Sequence, residues 1–244
     1  MRALWRWRSR RPESVPGLVR RLGNPRAVLE GPFRGLAGLQ QLASPLASML
    51  LGTYEKDLHA AIEALIAAAP DLVVNVGCGE GYYAVGLARR LPAARVVGFD
   101  LDRLCRAVTR RIGRKNGVAE RLTVAGFCHP ADLARELQIS RRPALVCDCE
   151  GGERELLDPK TVPALERSLI LVEVHDMYVP GVGDEVASRF ASTHRVTRIE
   201  ETPRNPADLP PGLPALTPEE IALALDDRRV GRGAWLWMEP AGHA

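Results

Sequence analysis

Aromatic residues and lysine are scarce in this 244-residue chain. Aromatics make up 5% of it, and Lys56, Lys115 and Lys160 are its only lysines. Arginine supplies every other basic side chain, a bias that genome composition explains better than function. Long apolar runs are missing too: none reaches the roughly 18 to 20 residues of a membrane span, so an integral membrane protein is not expected. Arg10-Arg11 leads into no apolar stretch and small-residue cleavage site, so no export signal is expected. Cysteine is limited to Cys78, Cys105, Cys128, Cys147 and Cys149. An odd set lying in helix-like and strand-like segments is no disulfide framework, and a reducing cytoplasm fits it best. The hydrophobic fraction of 46% and charged fraction of 26% exclude disorder throughout. The length suits one large domain, or one domain with appendages.

The net charge of +3 is unevenly spread. Residues 1–26 hold eight Arg against one Glu, while the remainder holds 25 basic against 29 acidic residues, so the total splits into +7 and −4. A basic arm therefore precedes a mildly acidic body. Trp5 and Trp7 would let the arm stack on or dock to an acidic partner, nucleic acid included; a solvated, frayed terminus is the preferred alternative.

Apolar periodicity alternates between helical and strand-like. Leu58, Ile62, Leu65 and Ala69 recur at helical spacing within Thr53–Ala69, and Pro70 stops the run. Strands are expected over 72–76, 95–99, 122–125, 144–149, 169–174, 194–200 and 234–238, separated by helical segments. One such segment carries Leu104, Val108 and Ile112. The alternation predicts an α/β fold: a Rossmann-like, doubly wound, mostly parallel seven-stranded sheet whose final strand is antiparallel. Residues 1–51 would be the arm and a cap, and 52–244 the main domain. Residues 202–230 form an insertion expected near the active-site edge, or else an edge cover. Inside it, Thr217-Pro218-Glu219-Glu220 reads as a helix start.

Between the first strand and the next helix stands Val74-Asn75-Val76-Gly77-Cys78-Gly79-Glu80-Gly81. Glycines there permit a tight turn and let backbone approach a ligand at a helix N-terminus. The spacing is G-x-G-x-G, with Tyr82 where dinucleotide-binding loops carry their third glycine, and its ring would crowd a pyrophosphate. Asp100 ends the second strand about 20 residues later, where a carboxylate reaches ribose hydroxyls. A ribose-containing ligand without a pyrophosphate fits this pattern.

The loop and Asp100 resemble motif I of class I S-adenosylmethionine (SAM)-dependent methyltransferases and the acidic residue after their second strand. Asp148-Cys149-Glu150-Gly151-Gly152-Glu153 and Glu173-Val174-His175 are similar to the D-x-E-G-x-E and E-x-H signatures of FkbM-type methyltransferases, over roughly residues 52–176. Asn75 departs from that family, which usually has an acid there. The resemblance implies SAM as cofactor and O-methylation of a small molecule, natural product or sugar. It also implies cofactor contacts from Asn75, Gly77, Gly79, Gly81 and Asp100, with Phe127 and Cys128 near the adenine and Asp148 beside the methionine part.

Candidates for the chemistry collect at the ends of the fourth and fifth strands. His175 is the first choice for general base, because imidazole is poised near neutral pH; a structural histidine holding the strand end is the alternative. Asp148 and Glu150 share parity, so an extended chain would put both on one face. Glu150 would orient the acceptor or His175, or cap the helix beginning at Gly152. Asp148, Glu150, Asp176 and His175 also form an oxygen-rich set suited to magnesium or manganese. Carboxylates holding the cofactor's amino group directly are preferred over that metal set, and no metal ligand is assigned. Cys147 and Cys149 are too few for zinc. Two rival readings remain: an RNA methyltransferase using the basic arm, and a non-catalytic cofactor-binding protein of the same fold.

Overall fold

The computed structural model describes residues 14–39, 47–227 and 233–242. Most of the basic arm, including Trp5, Trp7 and Arg10-Arg11, lies outside the described residues. The strands are β1 (Leu72–Val76), β2 (Arg95–Phe99), β3 (Leu122–Ala125), β4 (Pro143–Cys147), β5 (Leu169–Val174), β6 (His194–Glu200) and β7 (Ala234–Pro240). The described α-helices are α1 (Ser14–Arg21), α2 (Ala47–Leu51), α3 (His59–Ala67), α4 (Tyr82–Arg90), α5 (Arg103–Lys115), α6 (Pro130–Gln138), α7 (Glu153–Leu156), α8 (Val182–Phe190) and α9 (Pro218–Ala224). The chain divides into two compact units.

The larger unit, Asp57–Glu201 with Val230–Ala244, holds the whole sheet. Its strand order is β3-β2-β1-β4-β5-β7-β6. β1 to β5 run parallel, and β7 runs antiparallel to both β5 and β6. This is the doubly wound sheet with an antiparallel last strand that the alternation predicts. Two consequences of the order position the site. The chain winds one way from β1 to β3 and the other way from β4 onward, so the loops after β1 and β4 part and leave a crevice at the carboxyl edge. The register also brings the strand ends level: Val76 pairs with Phe99 and with Cys147.

The strands form because β-branched and leucine side chains bury on both faces, as parallel sheets require. Leu72, Val74 and Val76 share a face with Leu145, Cys147, Ile170 and Val172. Leu133 and Leu137 of α6 and Val182, Val186 and Phe190 of α8 complete that core. Each such side chain contributes roughly 1.5–3 kcal/mol by leaving water.

Three expectations shift. The Thr53–Ala69 helix is shorter: Glu55 has φ +47, Lys56–Leu58 is a 3-10 turn, and α3 begins at His59. α5 turns a different face inward, burying Cys105, Thr109, Ile112 and Gly113 while Leu104 is 60% exposed. A Cβ on Gly113 would stand 2.7 Å from the Leu122 side chain, so the small residue seats α5 on β3. β4 stops at Cys147 rather than Cys149.

The other unit takes in the described residues of Met1–Lys56 and Thr202–Arg229. Leu18, Ala47, Leu51 and Ala224 make its small core. Asp227 Oδ2 accepts from the Glu55 backbone at 3.1 Å and from Arg204 at 2.9 Å, tying the two segments together. α9 starts as its sequence predicts, with the Thr217 hydroxyl accepting from the Glu220 backbone and the Glu220 carboxylate accepting from the Thr217 backbone.

Candidate active site

The chain leaves β1 at Val76 and turns through the three glycines into α4. Gly77, Gly79 and Gly81 have φ of +73, +52 and +95. Packing demands two of them: a Cβ would stand 1.6 Å from the Asp148 carbonyl oxygen at Gly77, and 2.9 Å from the Thr109 side chain at Gly81. Gly79 differs. A Cβ there would meet nothing within 4 Å, so the open space beside it suits a ligand that approaches the backbone closely. The Gly77 and Cys78 amides donate to the Phe99 carbonyl at 2.9 Å. The Gly79 amide donates to Asp100 Oδ2 at 2.7 Å, and the other Asp100 oxygen accepts from the Asp102 amide, also at 2.7 Å. Asp100 thus sits against the loop, at the end of β2. Thr109 donates to the Gly79 carbonyl at 2.9 Å, a support absent from the sequence reading. Its only signal was a polar residue one helical turn before Gly113.

Phe127 and Cys128 part company after β3. Phe127 is 55% exposed and packs edge-on against His129, with ring centroids 4.6 Å apart, whereas Cys128 joins the core. Burial pushes the Cys78 and Cys128 thiols up to about 12, the charge of Asp100 adding to the first and that of Asp132 to the second. Both are protonated packing groups at neutral pH. Asn75 is buried in β1, where its amide nitrogen donates to the Val146 carbonyl at 3.2 Å and its Oδ1 has no hydrogen-bond partner among the described residues.

Because β4 ends at Cys147, Asp148 and Glu150 do not share a strand face. A turn brings them together instead: Glu150 has φ +54 and Gly151 φ +104. A left-handed conformation in a residue with a Cβ costs roughly 1–2 kcal/mol. His175 is 5% exposed just past β5, and its Nε2 lies 3.5 Å from Asp148 Oδ1, 3.7 Å from Glu150 Oε2 and 3.9 Å from Glu173 Oε2. Its Nδ1 is 2.6 Å from Glu153 Oε1, the shortest of the four contacts. The sequence reading used Glu153 only as part of a signature. It is fully buried at the start of α7; Oε1 also accepts from the Gly151 amide at 3.1 Å, while Oε2 has no hydrogen-bond partner among the described residues. Tyr178 lies over the imidazole, 5.7 Å away and 13° from parallel.

Charge sets the protonation of this cluster. Burial alone would lower the His175 pKa, but the Glu153 hydrogen bond and the charges of Glu173, Glu153 and Glu150 together raise it. Burial raises Glu150, helped by Glu173 and Glu153. Burial also favours neutral Glu153, yet the bonds from His175 and from the Glu153 and Gly151 amides win and hold it below the usual carboxylate range.

Asp176 does not join. Its Oδ1 accepts from the Gly183 amide at 3.1 Å and its Oδ2 lies 3.6 Å from Arg198. Glu173 takes its place in the oxygen-rich set: ligand atoms of Asp148, Glu173 and His175 lie within 4.8 Å of one another, a spacing one divalent cation can bridge. The loop and the histidine are linked mechanically, since the Asp148 amide donates to the Val76 carbonyl at 2.9 Å and its carbonyl packs on Gly77. Chemically, the arrangement can hold a small ligand at Gly79 and Asp100 and exchange a proton at His175 Nε2, which Asp148 links to the loop.

No family model matches the chain. The ribosomal protein L11 methyltransferase of Pectobacterium atrosepticum is 35% identical over 120 residues, 48% of this chain and 38% of that protein. The release factor glutamine methyltransferase of Chlorobaculum tepidum is 32% identical over 104 residues, 42% of this chain and 31% of that protein. The chain therefore spans less than two fifths of the length of these relatives. The O-methyltransferase TomG from Streptomyces achromogenes, solved in complex with SAM, is 13% identical with a TM-score of 0.47, over 94% of this chain and 91% of that one. Among the described residues, no helix is long and apolar enough to cross a membrane.

Proposed function

We propose that the chain is a SAM-dependent methyltransferase acting on a hydroxyl of a small molecule, natural product or sugar. The observation that carries this reading is the glycine loop closed on Asp100, with open space at Gly79, set beside an imidazole whose Nε2 faces carboxylates. Gly77, Gly79, Gly81 and Asp100 would hold the cofactor, with Phe127 near its adenine and Asp148 near its methionine part. The partial matches to curated methyltransferases support the reaction class. The FkbM-type signatures around Glu150, Glu153 and His175 support a hydroxyl acceptor, and the odd, scattered cysteines support a cytoplasmic setting.

SAM, when bound, would supply an electrophilic methyl group for the acceptor oxygen, with its positively charged sulfur as the leaving group. The protein's share is alignment and proton removal. His175 would take the hydroxyl proton at Nε2. Asp148 and Glu150, on the Nε2 side, would bind and orient the acceptor. A divalent cation joining Asp148, Glu173 and His175 would occupy Nε2 itself, so Glu173 has no part in this proton removal.

The test is methyl transfer from labelled SAM to a panel of hydroxylated acceptors, with and without magnesium, and to RNA in parallel. Label on a hydroxyl supports the proposal. Transfer to RNA alone, or cofactor binding without transfer to any acceptor, overturns it in favour of one of its rivals.

A further inference from the structure

The carboxylate nearest His175 is not one of those facing its Nε2. We infer that Glu153 is a positioning residue: it fixes the proton of neutral His175 on Nδ1 and so makes Nε2 the nitrogen that accepts the acceptor's proton. The inference rests on the functional reading above and deepens it.

Geometry singles Glu153 out. Its 2.6 Å contact to Nδ1 is a short, charge-assisted hydrogen bond, whereas the carboxylates around Nε2 stand at 3.5 to 3.9 Å. A carboxylate can only accept, so it selects the Nδ1–H tautomer. The Gly151 amide pins the same oxygen, and Tyr178 stacked on the ring limits its rotation. The imidazole is thus held with its lone pair directed away from α7, toward Asp148 and Glu150.

Burial argues against a role in folding alone. Glu153 is fully enclosed and one of its oxygens has no hydrogen-bond partner among the described residues. An apolar side chain of similar length would fill the space but strand the His175 Nδ1–H and the Gly151 amide, so the charge is matched to those two donors. A carboxylate enclosed there, with one oxygen committed to the imidazole, fits a task that needs the charge. When Nε2 takes the acceptor proton, the imidazole becomes a cation, and Glu153 remains ionised and stabilises it. No proton moves from Nδ1 to Glu153.

The experiment is histidine nitrogen NMR on the full chain labelled with ¹⁵N-histidine, at a pH where His175 is neutral. Wild type is compared with Glu153→Met and Glu153→Gln, and His175→Gln assigns the resonances. Wild type should show the Nδ1–H tautomer. Glu153→Met, which cannot accept a hydrogen bond, should move His175 to Nε2–H and melt lower than wild type, because it also strands the Gly151 amide; Glu153→Gln, the milder change, should give a mixture. Turnover of Glu153→Met should drop about 100-fold or more, as expected when a general base loses its working orientation, with the acceptor KM within threefold. An unchanged tautomer in both variants, or wild-type turnover in Glu153→Met, overturns the inference. The NMR arm needs no acceptor, so failure of the methyltransferase reading would show in the transfer assay and leave the tautomer result standing.

Discussion

His175 and His194 are each 5% exposed, at opposite ends of the same sheet, and their surroundings have little in common. At the amino end, His194 sits between a hydroxyl and a carbonyl: Nδ1 is 2.9 Å from Thr193 Oγ1 and Nε2 is 2.9 Å from the Ser168 carbonyl. At the carboxyl end, His175 has carboxylates about both nitrogens. The neighbourhoods repeat the contrast. Asp71, just before β1, accepts from the Ser140 hydroxyl and from the Arg141 and Arg142 amides. Arg121 donates to the carbonyls of Ala88, Leu91 and Ala94, and Arg167 to those of Leu137, Gln138 and Ser140. The amino end matches donors to acceptors, while the carboxyl end gathers like charges, a left-handed Glu150 and a buried oxygen of Glu153 without a hydrogen-bond partner among the described residues. Burial of a histidine therefore does not reveal its role; the chemistry of its partners does.

Substituting the two histidines breaks the comparison most sharply. His175→Ala should cut methyl transfer by roughly 10²- to 10⁴-fold, the usual worth of a positioned acid–base group. His194→Ala should instead cost about 1–3 kcal/mol of stability by stranding the Ser168 carbonyl, with turnover per folded molecule retained. Thermal melts and initial rates on both variants decide, and the opposite pattern would mean the roles were exchanged. Asp71→Ala comes next, leaving the Arg141 and Arg142 amides and the Ser140 hydroxyl to find water, at about 1–3 kcal/mol by chemical denaturation.

The two ends also have opposite pH signs. Burial opposes ionised Asp71, but its hydrogen bonds from Ser140, Arg141 and Arg142 prevail and lower its pKa. Its contribution is full above the unfolded value near 3.8 and is lost as pH falls through the folded one. His175 is raised, so its contribution is full below the unfolded value near 6.5 and is lost as pH rises through the folded one. Stability measured against pH should accordingly flatten on the acid side in Asp71→Asn and on the neutral-to-basic side in His175→Gln. The smallest expected effect is Glu150→Gly. Relief of the left-handed strain should offset some or all of the lost side-chain contacts, leaving stability within about 1 kcal/mol of wild type while transfer falls.

The two ends were not equally legible in the sequence. β1, β2, β3 and β5 have the bounds that their short apolar runs predict, because burial on both faces leaves a continuous signal. At the carboxyl edge the same logic ran two residues too far: Asp148-Cys149 continues an alternating pattern, and only Glu150's positive φ ends it. Thr53–Ala69 failed similarly, since apolar spacing cannot see the turn at Glu55. On α5, Leu104 and Ile112 belong to the same apolar spacing, yet packing around Gly79 and Leu122 buries Cys105, Thr109, Ile112 and Gly113 and leaves Leu104 exposed. His175, Asp148 and Glu150 could be named from motif and strand position. Glu153 could not be ranked above Glu150, because its burial depends on a turn and a four-residue helix with no periodicity to read.

Titration calorimetry with SAM and with its demethylated product tests the central claim most directly, on wild type, Asp100→Ala and Gly79→Ala. The account predicts micromolar binding to wild type. Asp100→Ala should weaken it roughly 10- to 100-fold, the worth of a hydrogen bond to a charged group. Gly79→Ala, whose new methyl meets none of the described residues within 4 Å although the φ of +52 strains it, should weaken binding while keeping the fold. Folded wild-type protein that binds neither ligand, or variants that bind as tightly as wild type, would contradict it.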